Sequence, residues 1–169
     1  MGWSWELPFG RGRRLLSGAS RATNAILGGW QVAGSYTLQS GRPVIFNTNL
    51  TWNGQNASIP SGERTLDRWF RAEQYGVIAK ENTYALRTTP TTFSYIRASR
   101  QNNADMAVFK NFRPVERLTL QFRFESFNTA NHPRFGDPTV NPASAAFGTV
   151  AKSALNQPRI LQLALKANF

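Results

Sequence analysis

The sequence predicts an all-β fold, an antiparallel up-and-down meander of about five transmembrane-type strands with long loops. Three observations predict it. Apolar and polar side chains alternate with a period of two in several stretches, which places them on opposite faces of a strand. Helical periodicity is nearly absent. The connections between the alternating stretches run medium, long, short, long.

Taken in order, Trp3, Trp5 and Leu7 open a first strand near 3–9. After Gly28-Gly29 a second, near 29–39, sets Trp30, Val32, Gly34, Tyr36 and Leu38 against Gln31, Ala33, Ser35, Thr37 and Gln39. A third, near 104–112, has Met106, Val108 and Phe112 on one face, with Lys110 interrupting it and Phe109 opposite. The fourth, near 117–127, alternates most cleanly: Leu118, Leu120, Phe122 and Phe124 against Thr119, Gln121, Arg123 and Glu125. The fifth, near 159–169, repeats the design with Leu161, Leu163, Leu165, Ala167 and Phe169 against Gln162, Ala164, Lys166 and Asn168. Arg113-Pro114-Val115-Glu116 reads as a tight turn between the third and fourth strands, since proline presets φ. Residues 41–102 and 128–158 read as long loops, which are uncommon inside compact domains.

Composition narrows the chemistry. The 169 residues carry 20 Lys+Arg against 9 Asp+Glu, a formal charge of +11, yet 41% are hydrophobic and 12% aromatic. That hydrophobic content argues against disorder. With no cysteine and only His132 for imidazole, disulfide scaffolds, thiolate sites and any site needing two histidines are excluded. No segment reaches the roughly 18–20 apolar residues of a transmembrane helix. Met1–Glu6 lacks the basic start and apolar run of a secretory signal.

One-sided strands suit two settings. In a soluble sandwich the apolar face meets a core; in an outer-membrane barrel it meets lipid and the polar face meets an aqueous lumen. Strands of about ten residues match a tilted bilayer crossing. Short and long connections alternate as they do in such barrels. Aromatics also stand where strands meet the interface: Trp30 and Phe112 towards the short-turn side, Phe127 towards the long loops, and Phe169 at the last position.

Several stretches carry a family resemblance: Leu7-Pro8-Phe9-Gly10-Arg11-Gly12-Arg13-Arg14, Leu27-Gly28-Gly29-Trp30-Gln31 and Gln39-Ser40-Gly41-Arg42-Pro43, then Asp105–Phe112 and Phe122–Gly136, with Phe147-Gly148 and the closing strand. In this order they resemble landmarks of TonB-dependent outer-membrane receptors, most like the Oar-like subgroup. The resemblance covers most of the chain apart from residues 44–66 and 71–92. It implies that residues 1–169 are the C-terminal part of a receptor barrel of about 22 strands, in a Gram-negative outer membrane, working in substrate uptake. The implied partners are outer-membrane lipid and lipopolysaccharide, the barrel-assembly machinery, and the remainder of the barrel and plug. TonB would be reached only through N-terminal parts. The resemblance also implies an assembly signal at Phe169, Leu165 and Leu163; Ala167 departs from the larger residue usual there.

On this reading Trp30, Tyr36, Leu118, Leu120, Phe122 and Phe124 face lipid. Gln121, Arg123, Glu125, Gln162 and Lys166 face the lumen, together with Gln31 and Thr37. Arg123 and Glu125, two apart on one strand, are expected to form an ion pair. Arg64, Arg68, Arg71, Arg97 and Arg100 are loop arginines placed beside lipopolysaccharide. His132 reads as a turn residue, Asp67–Phe70 as a turn with packing aromatics. Asn49-Leu50-Thr51 and Asn56-Ala57-Ser58 fit the glycosylation pattern, which arises often by chance. No catalytic, cofactor or metal residues are expected, and the chain is not expected to be an enzyme. Two other readings stay open: a soluble basic β-domain binding nucleic acid or other polyanions, although no nucleic acid is expected because the arginines are scattered over turns and loops with no RNP-type or zinc motif, and a complete eight-stranded barrel with three strands inside 41–102.

Overall fold

A computed structural model describes residues 1–46, 50–78 and 89–169. In chain order the elements are β1 (Gly2–Glu6), α1 (Arg21–Leu27), β2 (Trp30–Gln39), β3 (Pro43–Ile45), β4 (Leu50–Trp52), β5 (Tyr75–Val77), β6 (Thr92–Arg97), β7 (Gln101–Val115), β8 (Leu118–Phe127) and β9 (Ile160–Asn168). The chain divides into two units. One comprises Met1–Leu38, Asn102–His132 and Gln157–Phe169; the other comprises Gln39–Gln101 and Pro133–Asn156.

The first unit is a five-stranded sheet in the order β1-β2-β7-β8-β9. These are the five expected strands, each joined to its predecessor along the chain. β1 pairs antiparallel with β2 from Gly2 opposite Ser35 to Glu6 opposite Gln31. Gly34 accommodates an indole there: a Cβ at that position would lie 2.8 Å from the Trp3 ring. β8 pairs antiparallel with β7 and β9, Phe122 facing Lys110 on one side and Leu165 on the other. With five alternating strands, β1 and β9 run in the same direction, and among the described residues both leave an edge unpaired.

The β7–β8 turn falls at Glu116-Arg117, two residues later than the proline-centred turn the sequence predicts. Pro114 instead lies inside β7, where the register with β8 shifts between Phe112 and Val115. A proline cannot donate to the ladder, and an irregularity of this kind is where a strand tolerates one. The last strand also stops one residue short: Phe169 lies beyond β9 and is 98% exposed.

The sequence contains no clear helix signal, yet α1 forms in the β1–β2 connection. Ser20 caps it, its Oγ accepting from the Thr23 N–H, and Gly28 N–H closes the far end on Asn24 O. Seven residues, about two turns, leave too little length for a 3.6-residue period to be read.

The second unit corrects the expectation of a structureless loop over 41–102. β3 pairs with β6 and β4 with β5, in two separate two-stranded sheets. These strands do not extend the five-stranded sheet, so the described residues do not form an eight-stranded barrel. The unit has its own core of Val44, Phe46, Leu50, Ala57, Phe70, Phe93 and Ile96, with Trp52, Trp69, Tyr75, Tyr95 and Phe147 packed against it. Phe46 is edge-on to Phe70 and Phe93 at 5.5 and 5.4 Å and stacks on Tyr75 at 5.4 Å. The expectation of packing aromatics at Asp67–Phe70 agrees with Phe70, which is 1% exposed.

Candidate functional site

The sheet's two faces are chemically opposite, and register assigns each residue to one of them. Across β8 and β9, Leu120 faces Ala167, Phe122 faces Leu165, and Phe124 faces Leu163. Trp30 joins this face, its ring edge-on to Phe122 at 6.0 Å. Trp3 and Trp5 pair with Gly34 and Val32, on the face that alternation assigns to Tyr36 and Leu38. Leu118 pairs with Val115 beyond the bulge. Among the described residues nothing covers this apolar face at β9: Leu161, Leu163 and Leu165 are 61%, 69% and 66% exposed, against 0% for Phe46 in the second unit.

The other face carries a ladder of polar contacts. Gln31 Nε2 donates to Ser4 Oγ at 2.8 Å, and Gln121 Nε2 to Asn111 Oδ1 at 3.0 Å. Arg123 pairs with Glu125 at 2.6 Å and lies 5.0 Å from the centroid of the Phe109 ring. Gln162 faces Glu125 across the ladder and Lys166 faces Gln121. The structure thus brings Gln121, Arg123, Glu125, Gln162 and Lys166 onto one face and Trp30, Leu120, Phe122, Phe124, Leu163 and Leu165 onto the other.

Two features were not foreseen. Lys110 sits on the apolar face yet is only 6% exposed, because its Nζ donates to Ile26 O at 2.6 Å and stands 4.8 Å from the centroid of the Trp30 ring. The other is the turn after β8. Asn128 is buried with φ of 48°; its Oδ1 accepts from His132 N–H, its Nδ2 donates to Gln157 O, and its own N–H donates to Asp105 Oδ1. Asn131, also at positive φ, accepts from Arg159 N–H. Asparagine tolerates this conformation better than other residues with a Cβ. The Asn-Thr-Ala-Asn-His run therefore joins β8 to the start of β9, and His132 belongs to that turn.

The second unit holds a cleft of about 160 Å³ lined by residues that include Arg42, Ser99, Gln101, Arg134 and Asp137. An ion pair between Arg42 and Asp137 spans it. Of the loop arginines, Arg68 pairs with Glu73 at 2.8 Å, Arg64 donates to Ile59 O and lies over Trp69, and Arg97 donates to Gly41 O. Burial lowers the Arg64 pKa. The Glu73 carboxyl is held below its usual range, first by a backbone hydrogen bond and then by Arg68. Burial pushes the Tyr75 hydroxyl well above the usual tyrosine value, with the neighbouring Tyr95 adding to it. Asn49 lies outside the described residues. Among the described residues no group of three His, Cys, Asp or Glu is placed to hold a metal ion.

A family model described as an outer membrane beta barrel domain matches residues 1–162. The chain belongs to that family. No curated protein and no solved structure gives a match. The barrel domain is thus a protein of the outer membrane, and its open five-stranded meander is part of a barrel wall. Strand length agrees: ten residues in β2 and β8, at about 3.3 Å each and tilted by about 40°, rise about 25 Å, the height of a barrel's apolar band.

Proposed function

We propose that the chain is the C-terminal strand region of a TonB-dependent outer-membrane receptor of the Oar-like kind, acting in substrate uptake. The observation that carries this reading is the inversion of burial. Leu38 of β2 and Leu161, Leu163 and Leu165 of β9 are exposed and Leu118 and Leu120 of β8 half-buried, while the second unit buries Phe46, Phe70 and Phe93. A soluble sandwich would do the reverse with its strands. Lipid covers the apolar face, and the ladder from Gln31 to Arg123 and Glu125 lines water.

Five strands are fewer than the roughly eight a membrane barrel needs. Because β1 and β9 run the same way, closure with antiparallel pairs throughout requires an odd number of further strands. The chain by itself is assigned neither transport nor catalysis; the plug and the TonB contact belong to other segments of such receptors. Phe169, exposed past the end of β9, is free for the barrel-assembly machinery to read. The assembly signal includes Leu163 and Leu165, exposed on an unpaired edge strand.

Reading the gene upstream of the Met1 codon tests the assignment. A continuous frame encoding a plug-type domain and a signal peptide is expected. Stop codons immediately upstream, with a ribosome site at Met1, would contradict the receptor reading while leaving the barrel family in place.

A further inference from the structure

The β1–β2 connection contains a surface that the barrel wall does not explain. Trp30 lies beside Lys110 and Ser35 beside Asp105, so the connection leaves the sheet towards the end that carries the Glu116-Arg117 turn, and tight turns mark the periplasmic side of outer-membrane barrels. Within it, α1 packs on the apolar face and not on the polar one. Ile26 O accepts from both Trp30 Nε1 at 2.9 Å and Lys110 Nζ at 2.6 Å, and both donors stand on the face of Phe122. Beyond that contact the connection is exposed. Leu15, Leu16, Ile26 and Leu27 are 44–67% accessible. Arg13 is held by Glu6 at 2.7 Å, whereas among the described residues no side chain pairs with the guanidiniums of Arg11, Arg14 or Arg21. Exposed leucine and isoleucine interleaved with unpaired arginine, continuous with a lipid-covered face, is the composition of a segment lying in a membrane interface.

We infer that residues 9–27 form an interfacial anchor on the periplasmic leaflet. Leu15, Leu16, Ile26 and Leu27 meet acyl chains, and Arg11, Arg14 and Arg21 bind the phosphates of anionic phospholipid headgroups. The inference rests on the lipid-facing assignment proposed above. Each basic side chain near an anionic surface favours anionic lipid about fivefold.

The chain has no cysteine, so single thiols can be introduced and labelled with a polarity-sensitive fluorophore. Ile26→Cys reports on the anchor and Leu163→Cys on the wall. Each variant of the full chain is reconstituted into phosphatidylcholine vesicles containing phosphatidylglycerol, with one or the other lipid brominated at equal mole fraction. Quenching is expected at both sites, and at Ile26→Cys brominated phosphatidylglycerol should quench at least about twofold more strongly. Combining Arg11→Gln, Arg14→Gln and Arg21→Gln should abolish that preference and leave quenching in place. Quenching at Leu163→Cys without any at Ile26→Cys would overturn the anchor alone. Equal quenching by the two lipids would overturn the headgroup contact. No quenching at either site would overturn the lipid-facing assignment and the anchor together.

Discussion

The ammonium of Lys110 stands 4.8 Å from the centroid of the Trp30 ring, and both side chains donate to the same carbonyl of Ile26. A charge on an apolar strand face is thereby stabilised by a π-face and by a carbonyl in the last turn of α1. The same contact ties α1 to the sheet.

Lys110→Met keeps the bulk and removes the charge. It should cost the detergent-folded chain about 2–4 kcal/mol, the sum of one cation–π contact and one charged hydrogen bond. Urea unfolding followed by tryptophan fluorescence measures it. Faster proteolysis within residues 9–27 should accompany the loss; an unchanged cleavage rate would show that the contact does not hold α1.

The two faces can be tested against each other. Near mid-bilayer, Phe122→Arg should cost about 2–4 kcal/mol and Gln121→Arg little. Folding yields into lipid vesicles compare them directly. Equal yields would contradict the lipid-facing and lumen-facing assignments.

Asn128 separates conformation from hydrogen bonding. Asn128→Gly keeps the positive φ and loses the side-chain bonds to His132 and Gln157, whereas Asn128→Ala loses both. The alanine variant should be less stable by about 1 kcal/mol. If the two are equally stable, the left-handed backbone carries no cost at this turn.

In the second unit, Tyr75 Oη is buried without a hydrogen-bond partner among the described residues, and burial raises its pKa. A raised folded pKa contributes stability that is present below the ordinary value of 10.0 and lost as pH rises through the folded one. Stability of this unit should therefore fall above about pH 10. Tyr75→Phe should flatten that fall without destabilising the unit at neutral pH, because no bond is lost. Tyrosinate absorbance during an alkaline titration follows it. A Tyr75 that ionises at the ordinary value would show that water reaches the hydroxyl.

The five wall strands were legible because a period of two needs only neighbouring residues. Leu118, Leu120, Phe122 and Phe124 declare their face whatever they pair with. The Arg123–Glu125 pair was legible for the same reason, being two apart on one strand. Residues 41–102 were not. β3 to β6 are three to six residues long, and Phe46, Phe70 and Phe93 meet only when the chain returns on itself. The role of Lys110 was hidden likewise, since Ile26 lies 84 residues away. The position of the β7–β8 turn depended on how Pro114 is absorbed by a bulge.

By itself, then, the sequence determined the number of wall strands, their faces and their alternating connections, because those are local properties of an extended chain. Only the tertiary structure decided that the long connections build a second core and that a helix clasps the apolar face through Lys110. Both depend on contacts between distant residues, which no local period records.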